Sequence, residues 1–233
     1  MNEKVIYNPK EYGIENNENG KNCNISLISS GYPDDLNIKN TIEVENLVED
    51  EDFVDIDGQA TVISSIICGN NKKISGIAKN TNMYYIKIID KEGNSTIESI
   101  STAILWSIIK NVDIIVLPIL LYKDYNKIKN AISKAKAKNI PILVSKQKNN
   151  GILEHYDGTI SCSLNRYLKK DYIFNKNSIE IRPPKTNLAY FDKDNIVKPR
   201  NEIMAISLAT GILSNKISEL KGDYNIKKLY NYI

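Results

Sequence analysis

The side chains able to do acid–base or nucleophilic work are few in this chain and widely scattered. There is one histidine, His155, within Leu-Glu-His-Tyr-Asp-Gly, and there are three cysteines, Cys23, Cys68 and Cys162. Zinc sites and redox motifs need such residues in clusters, and no C-x-x-C or Cys/His cluster occurs. Each cysteine sits beside apolar residues, which predicts small buried thiols and not a disulfide framework. Serines are plentiful, but a serine hydroxyl is a poor nucleophile until an adjacent base takes its proton. The one candidate base, His155, is expected in a surface loop. An acidic run extends over Glu43, Glu45, Glu49, Asp50, Glu51, Asp52, Asp55 and Asp57. It lacks the central glycine and terminal glutamate of an EF-hand loop. A solvated acidic loop is expected there, with no metal and no other cofactor.

The elements that must position these residues alternate strand and helix. Asn24 to Ser30 reads as a short strand closed by Ser30-Gly31. Thr61 to Cys68 is apolar and fits helix or strand on periodicity alone. Met83 to Ile89 reads as a strand. Ser95-Thr-Ile-Glu98 has the form of a capping box, followed by Ile97, Ile100, Ile104, Leu105 and Ile108 at helical spacing, with Asn111 as the stop. Val112 to Leu117 is a nearly continuous apolar run, as in a strand buried on both faces. Asp124 to Lys138 is amphipathic, with Ile128, Ala131, Ile132 and Ala135 on one side. Ile140 to Val144 repeats the buried-strand pattern. Strand–helix alternation at these short spacings predicts right-handed crossovers and a parallel sheet. Strands near Thr159–Leu164 and Ser178–Arg182 follow, then a helix over Glu202–Leu213 and a short amphipathic stretch at Tyr224–Ile233.

Composition sets the outer limits. With 233 residues, 42% hydrophobic and 25% charged, the chain has the profile of one soluble globular domain. A formal charge of +3 without a basic stripe gives no support to nucleic-acid binding. No run approaches the roughly 18 apolar residues of a membrane span. The polar stretch Met1 to Asn24 has no apolar signal core, which points to a cytoplasmic protein.

Three stretches resemble, in order, the active-site motifs of the subtilisin-like serine proteases. Residues 28–31, Ile-Ser-Ser-Gly, are similar to I-D-[ST]-G, which makes Ser29 the acid position. Residues 58–67, Gly-Gln-Ala-Thr-Val-Ile-Ser-Ser-Ile-Ile, resemble G-H-G-T-H-V-A-G-T-I, with Gln59 at the base position. Residues 201–211, Asn-Glu-Ile-Met-Ala-Ile-Ser-Leu-Ala-Thr-Gly, resemble G-T-S-M-A-x-P-H-V-A-G, with Ile203 at the nucleophile position. Gly76-Ile-Ala78 with Met83–Ile89, the segment Ile104–Leu117, and Ile140-Pro-Ile-Leu-Val-Ser also resemble family segments. The resemblance spans about Cys23 to Ser214.

It implies a three-layer α/β fold, a central and mainly parallel sheet flanked by helices. Residues 1–22 would form an N-terminal extension, 23–215 the subtilisin-like domain and 216–233 a C-terminal segment packed on it. It also implies that the familiar mechanism is missing. An isoleucine has no heteroatom to attack a carbonyl, glutamine is no base near neutral pH, and serine carries no charge to stabilise an imidazolium. The oxyanion position falls on Lys148 without gaps, or on Asn149 or Asn150 after a small shift. Ser207 and Ser214 lie at least a turn from Ile203. Where the family has S-L-G-G beside the substrate, Pro118-Ile-Leu-Leu121 stands, so these four residues are the expected lining of a closed or more apolar peptide cleft. The expectation is a catalytically inactive pseudoprotease that binds a peptide or a protein partner, such as an active protease or a maturation enzyme. The alternatives are a divergent subtilase endopeptidase with non-standard residues and a doubly wound small-molecule binder.

Overall fold

The computed structural model describes residues 4–15, 18–146, 151–186, 188–192 and 195–220. The expected stretch at Tyr224–Ile233 and the oxyanion candidates Lys148, Asn149 and Asn150 lie outside the described residues. In chain order the strands and α-helices are β1 (Val5–Ile6), β2 (Asn24–Ser29), β3 (Thr41–Asn46), α1 (Gln59–Ile67), β4 (Ile74–Ser75), β5 (Asn82–Lys87), α2 (Ile97–Ile109), β6 (Ile114–Leu117), α3 (Asn126–Ala137), β7 (Ile142–Ser145), β8 (Thr159–Leu164), β9 (Tyr172–Asn175), β10 (Ser178–Ile181), β11 (Ala189–Tyr190), β12 (Ile196–Val197) and α4 (Asn201–Glu219).

The main sheet has eight strands in the order β3-β5-β2-β6-β7-β8-β10-β9. All its pairings are parallel except β9 with β10. Every residue of β6 and β7 is buried. Along β6, Ile114 and Val116 enter the core on one face, while Ile115 and Leu117 enter the core on the other. That is the two-residue alternation of a pleated strand between two helical layers. α1 and α4 pack together on the first face, α2 and α3 together on the second. The three-layer α/β architecture follows. β1 and β4 form a separate two-stranded pair that ties Val5 and Tyr7 into the first core.

Helix ends differ slightly from the sequence expectation. The capping box of α2 sits one residue later than Ser95 and Glu98. Thr96 is the N-cap, its hydroxyl accepting the Ser99 N–H at 2.9 Å, and Ser99 answers to the Thr96 N–H. Asn111 ends the segment in the left-handed region at φ 53°, which asparagine tolerates better than most residues. The three cysteines are buried, free thiols. Burial pushes the Cys68 thiol up to about 12 and holds those of Cys23 and Cys162 well above the usual thiol range. No described helix is long and apolar enough to cross a membrane.

Among the described residues one charged side chain is buried. Lys87, 1% exposed, ends β5 directly opposite Ser29 of β2. Its ammonium donates to the Val54 carbonyl at 3.1 Å and pairs with Glu51 at 3.1 Å. The Glu51 carboxylate also accepts the Lys91 backbone N–H at 3.0 Å, and these contacts hold its carboxyl below the usual carboxylate range, the Lys91 bond contributing most. A depressed folded-state value gives stability that is complete above the ordinary value of 4.5 and lost as pH falls through the folded one. Glu51→Gln is therefore expected to lower the melting temperature at pH 7, with the gap to the wild type closing as both are melted at pH 4 and below. A gap of constant size across that range would show that the ionised carboxylate contributes nothing.

Candidate active site

The order in which strands are added to the sheet reverses at β2. β5 lies on one side of it and β6 on the other, and the α1 and α2 connections cover opposite faces. In open α/β sheets the crevice beyond the carboxyl ends of the strands at such a point is the natural place for a ligand. Ser29 ends β2, Ile88 and Ile89 leave β5, and Pro118 to Leu120 leave β6 at this edge.

Helix α1 is set against that edge by polar contacts from the loop before it. Gly58 precedes the helix at φ 84°, and an added Cβ would stand 2.1 Å from the Phe191 ring, so both backbone and space demand glycine. Asp55 serves as the remote cap: its carboxylate accepts the N–H groups of Gly58 at 2.8 Å and Thr61 at 2.7 Å, and the Thr61 hydroxyl at 2.6 Å. The Ser30 hydroxyl accepts the Ala60 N–H at 3.0 Å. These contacts fix the first helical residue, Gln59, beside the end of β2. There the buried Ser29 hydroxyl donates to the Gln59 side-chain oxygen at 2.8 Å.

Helix α4 closes the opposite wall. Its first turn presents Glu202 and Ile203, and the Ser145 hydroxyl at the end of β7 donates to the Glu202 carbonyl at 3.2 Å. Between α1, α4 and the strand ends lies a cavity of about 350 Å³. Its apolar wall is Ile89, Pro118, Ile119, Leu120 and Ile203; its polar groups are Gln59, Ser95, Arg200 and Glu202. Ser29 and Gln59 are thus joined directly, and Gln59 and Ile203 face one cavity with Pro118, Ile119 and Leu120. Leu121 does not line it. Leu121 packs on the second core, and its carbonyl accepts the Ile152 N–H at 2.9 Å.

No ionisable base stands among Ser29, Gln59 and Ile203. His155 is exposed, on a short 3-10 turn (Leu153–His155), and does not line the cavity. Ser207 is buried, its hydroxyl donating back to the Ile203 carbonyl at 2.7 Å. Ser214 is buried beside the Cys23 thiol. A larger depression of about 700 Å³ lies across the 88–95 turn, and several of its acids are already engaged. Glu51 pairs with Lys87, Glu98 with Lys127, and Asp90 accepts the N–H groups of Glu92 and Asn94 at 3.0 and 2.8 Å.

The comparisons agree with this architecture. Residues 19–152, more than half the chain, match the model of the subtilase family, Peptidase_S8. The chain belongs to the subtilase family. It is 29% identical over 136 residues to the minor extracellular protease Epr of Bacillus subtilis (strain 168), an overlap of 57% of this chain and 21% of that protein. This subtilase chain therefore corresponds to a minor part of that relative's length. Among solved structures, an S41 psychrophilic protease superposes with a TM-score of 0.77 at 15% identity, covering 99% of this chain and 90% of that one. The protease domain of PatA superposes with a TM-score of 0.69 at 12% identity, covering 86% and 80%. At such identities the two structures speak for the fold alone.

Proposed function

We propose that this subtilase is a pseudoprotease, whose cleft holds a peptide or a segment of a partner protein without cutting it. The observation that carries the reading is Gln59, hydrogen-bonded to Ser29, lining one cavity with Ile203. An alkyl side chain offers no electron pair to a carbonyl, and a neutral amide hydrogen-bonded to a serine draws no proton from water at neutral pH. Shape and polarity remain useful without chemistry. The cavity has an apolar wall next to a few polar groups, the common composition of a binding cleft. An extended segment would lie along the strand ends at this edge, and an active protease or a maturation enzyme would supply it.

The test is reaction with a serine-directed fluorophosphonate at pH 8, read by intact-protein mass spectrometry, beside hydrolysis of denatured casein. No adduct and no cleavage are expected. An adduct on any serine, Ser95 in the cavity included, would overturn the reading in favour of a divergent endopeptidase.

A further inference from the structure

Among the described residues, two donor groups lining the cleft have no acceptor. The Gln59 side chain receives the Ser29 hydroxyl on its oxygen, so its amide nitrogen, carrying two N–H donors, points elsewhere. Among the described residues neither that nitrogen nor the Arg200 guanidinium makes a hydrogen bond or ion pair, although both groups line the same cavity of about 350 Å³. Arg200 is also the N-cap residue of α4, and its side chain does not cap the helix. The same cavity is lined by Ile119, Leu120 and Ile203, whose side chains offer no acceptor.

The one acid among the described lining residues, Glu202, also borders a second depression of about 510 Å³ on the side of Lys146 and Asn165. It therefore stands at the partition between the two spaces. A cation and an amide that line one cavity with several alkyl side chains form an anion site joined to an apolar seat.

The backbone in the interior of an apolar peptide supplies only neutral carbonyls to such a site. A terminal carboxylate supplies two acceptor oxygens and a full charge, which a guanidinium meets with two parallel hydrogen bonds. We infer that the cleft captures the free C-terminus of an apolar peptide, the carboxylate held by Arg200 and the Gln59 amide and the last side chain seated on Ile119, Leu120 and Ile203. The inference rests on the peptide-binding reading above and narrows it from any extended segment to chain ends with an aliphatic or aromatic last residue.

The probes are fluorescein-labelled tetrapeptides ending in Leu, Ile or Phe, each made as the free acid and as the C-terminal amide. Binding is followed by fluorescence anisotropy at low salt. At least one acid is expected to bind about tenfold more tightly than its amide, as a charge-assisted contact on a partly exposed site should give. Raising NaCl to about 0.5 M should shrink that ratio, because screening acts on the charge and not on the apolar seat. Arg200→Gln is expected to abolish the ratio, while Glu202→Gln, which removes an acid from the lining, should increase it. Circular dichroism checks that both variants fold. Equal binding of acids and amides by the wild type would overturn the carboxylate assignment and leave the cleft as a peptide binder. Absence of binding by every probe would overturn the peptide-binding reading together with it.

Discussion

Gly31→Ala should cost about 2–4 kcal/mol and lower the melting temperature by roughly 5–15 °C, the scale for a chain of this size. Two separate terms act at this position. The backbone stands at φ 136°, where a side chain is strained whatever the space around it. A Cβ would also stand 2.5 Å from the Phe53 carbonyl oxygen and 2.9 Å from the Asp55 nitrogen. Those are backbone atoms held in a parallel bridge, with Tyr32 N–H donating to Phe53 O and Asp55 N–H to Tyr32 O, both at 2.9 Å. They yield only if the bridge opens. The same segment carries Asp55, which caps α1, and the Val54 carbonyl, which receives Lys87. Displacing it would loosen Gln59 from Ser29, so the variant should lose peptide binding along with stability. Gly13→Ala is the control: φ is 64° with nothing within 4 Å of the added carbon, so only the backbone term of about 1 kcal/mol remains. Equal melting temperatures for the two variants would show that the contact with residues 53–55 is not tight.

How much of this was readable beforehand depends on how each segment is buried. β6 and β7 were legible because strands covered on both faces leave an uninterrupted apolar run. α3 was legible because lysines mark its outer face. α1 was ambiguous for a physical reason: eight of its nine residues are buried, from Ala60 to Ile67, so no polar face betrays the 3.6-residue period. α4 runs on to Glu219, beyond the expected Leu213, for the same cause, since small and polar residues such as Ser214 and Asn215 are buried within it. β3 was hidden inside the acidic run. Its glutamates belong to an edge strand, where charge discourages pairing with another chain, and Glu43 is paired with Lys110 at 2.7 Å. Asp55 and Glu51 were likewise read as solvated acids. The spacing Asp55-x-x-Gly58-x-x-Thr61 was a signal for a remote helix cap, whereas nothing local could place Glu51 on a lysine 36 positions away. The Ser29–Gln59 contact, across 30 residues, was accessible only through the family resemblance. Arg200 went unnoticed because a lone cation before a helix carries no pattern of its own.

The remaining large effect concerns chemistry regained. The triple variant Ser29→Asp, Gln59→His, Ile203→Ser is expected to react with a fluorophosphonate at a rate at least about tenfold above the wild-type background, whereas each single variant should not exceed that background. The reason is that the three groups act as a unit. A serine without a base stays protonated, and a base without an orienting carboxylate spends its time in unproductive rotamers and tautomers, so single changes gain nothing and their effects are far from additive. The geometry that motivates the experiment is the 2.8 Å approach of Ser29 to Gln59 and the place of Ile203 on the same cavity. The pH profile gives the finer check. A carboxylate beside the introduced imidazole should raise its pKa above the ordinary value of about 6.5, and labelling should climb as pH rises through that raised value, because only the neutral ring accepts a proton. Turnover of casein should remain far below labelling. Glu202 stands where the family pattern has a threonine, and Pro118 and Leu120 stand at the strand edge where it has serine and glycine, so a substrate would meet a cleft shaped for holding. A triple variant no faster than Ile203→Ser alone, or one whose labelling ignores pH, would show that these positions do not converge on one reacting atom, and the proposed correspondence with the family's triad would fall.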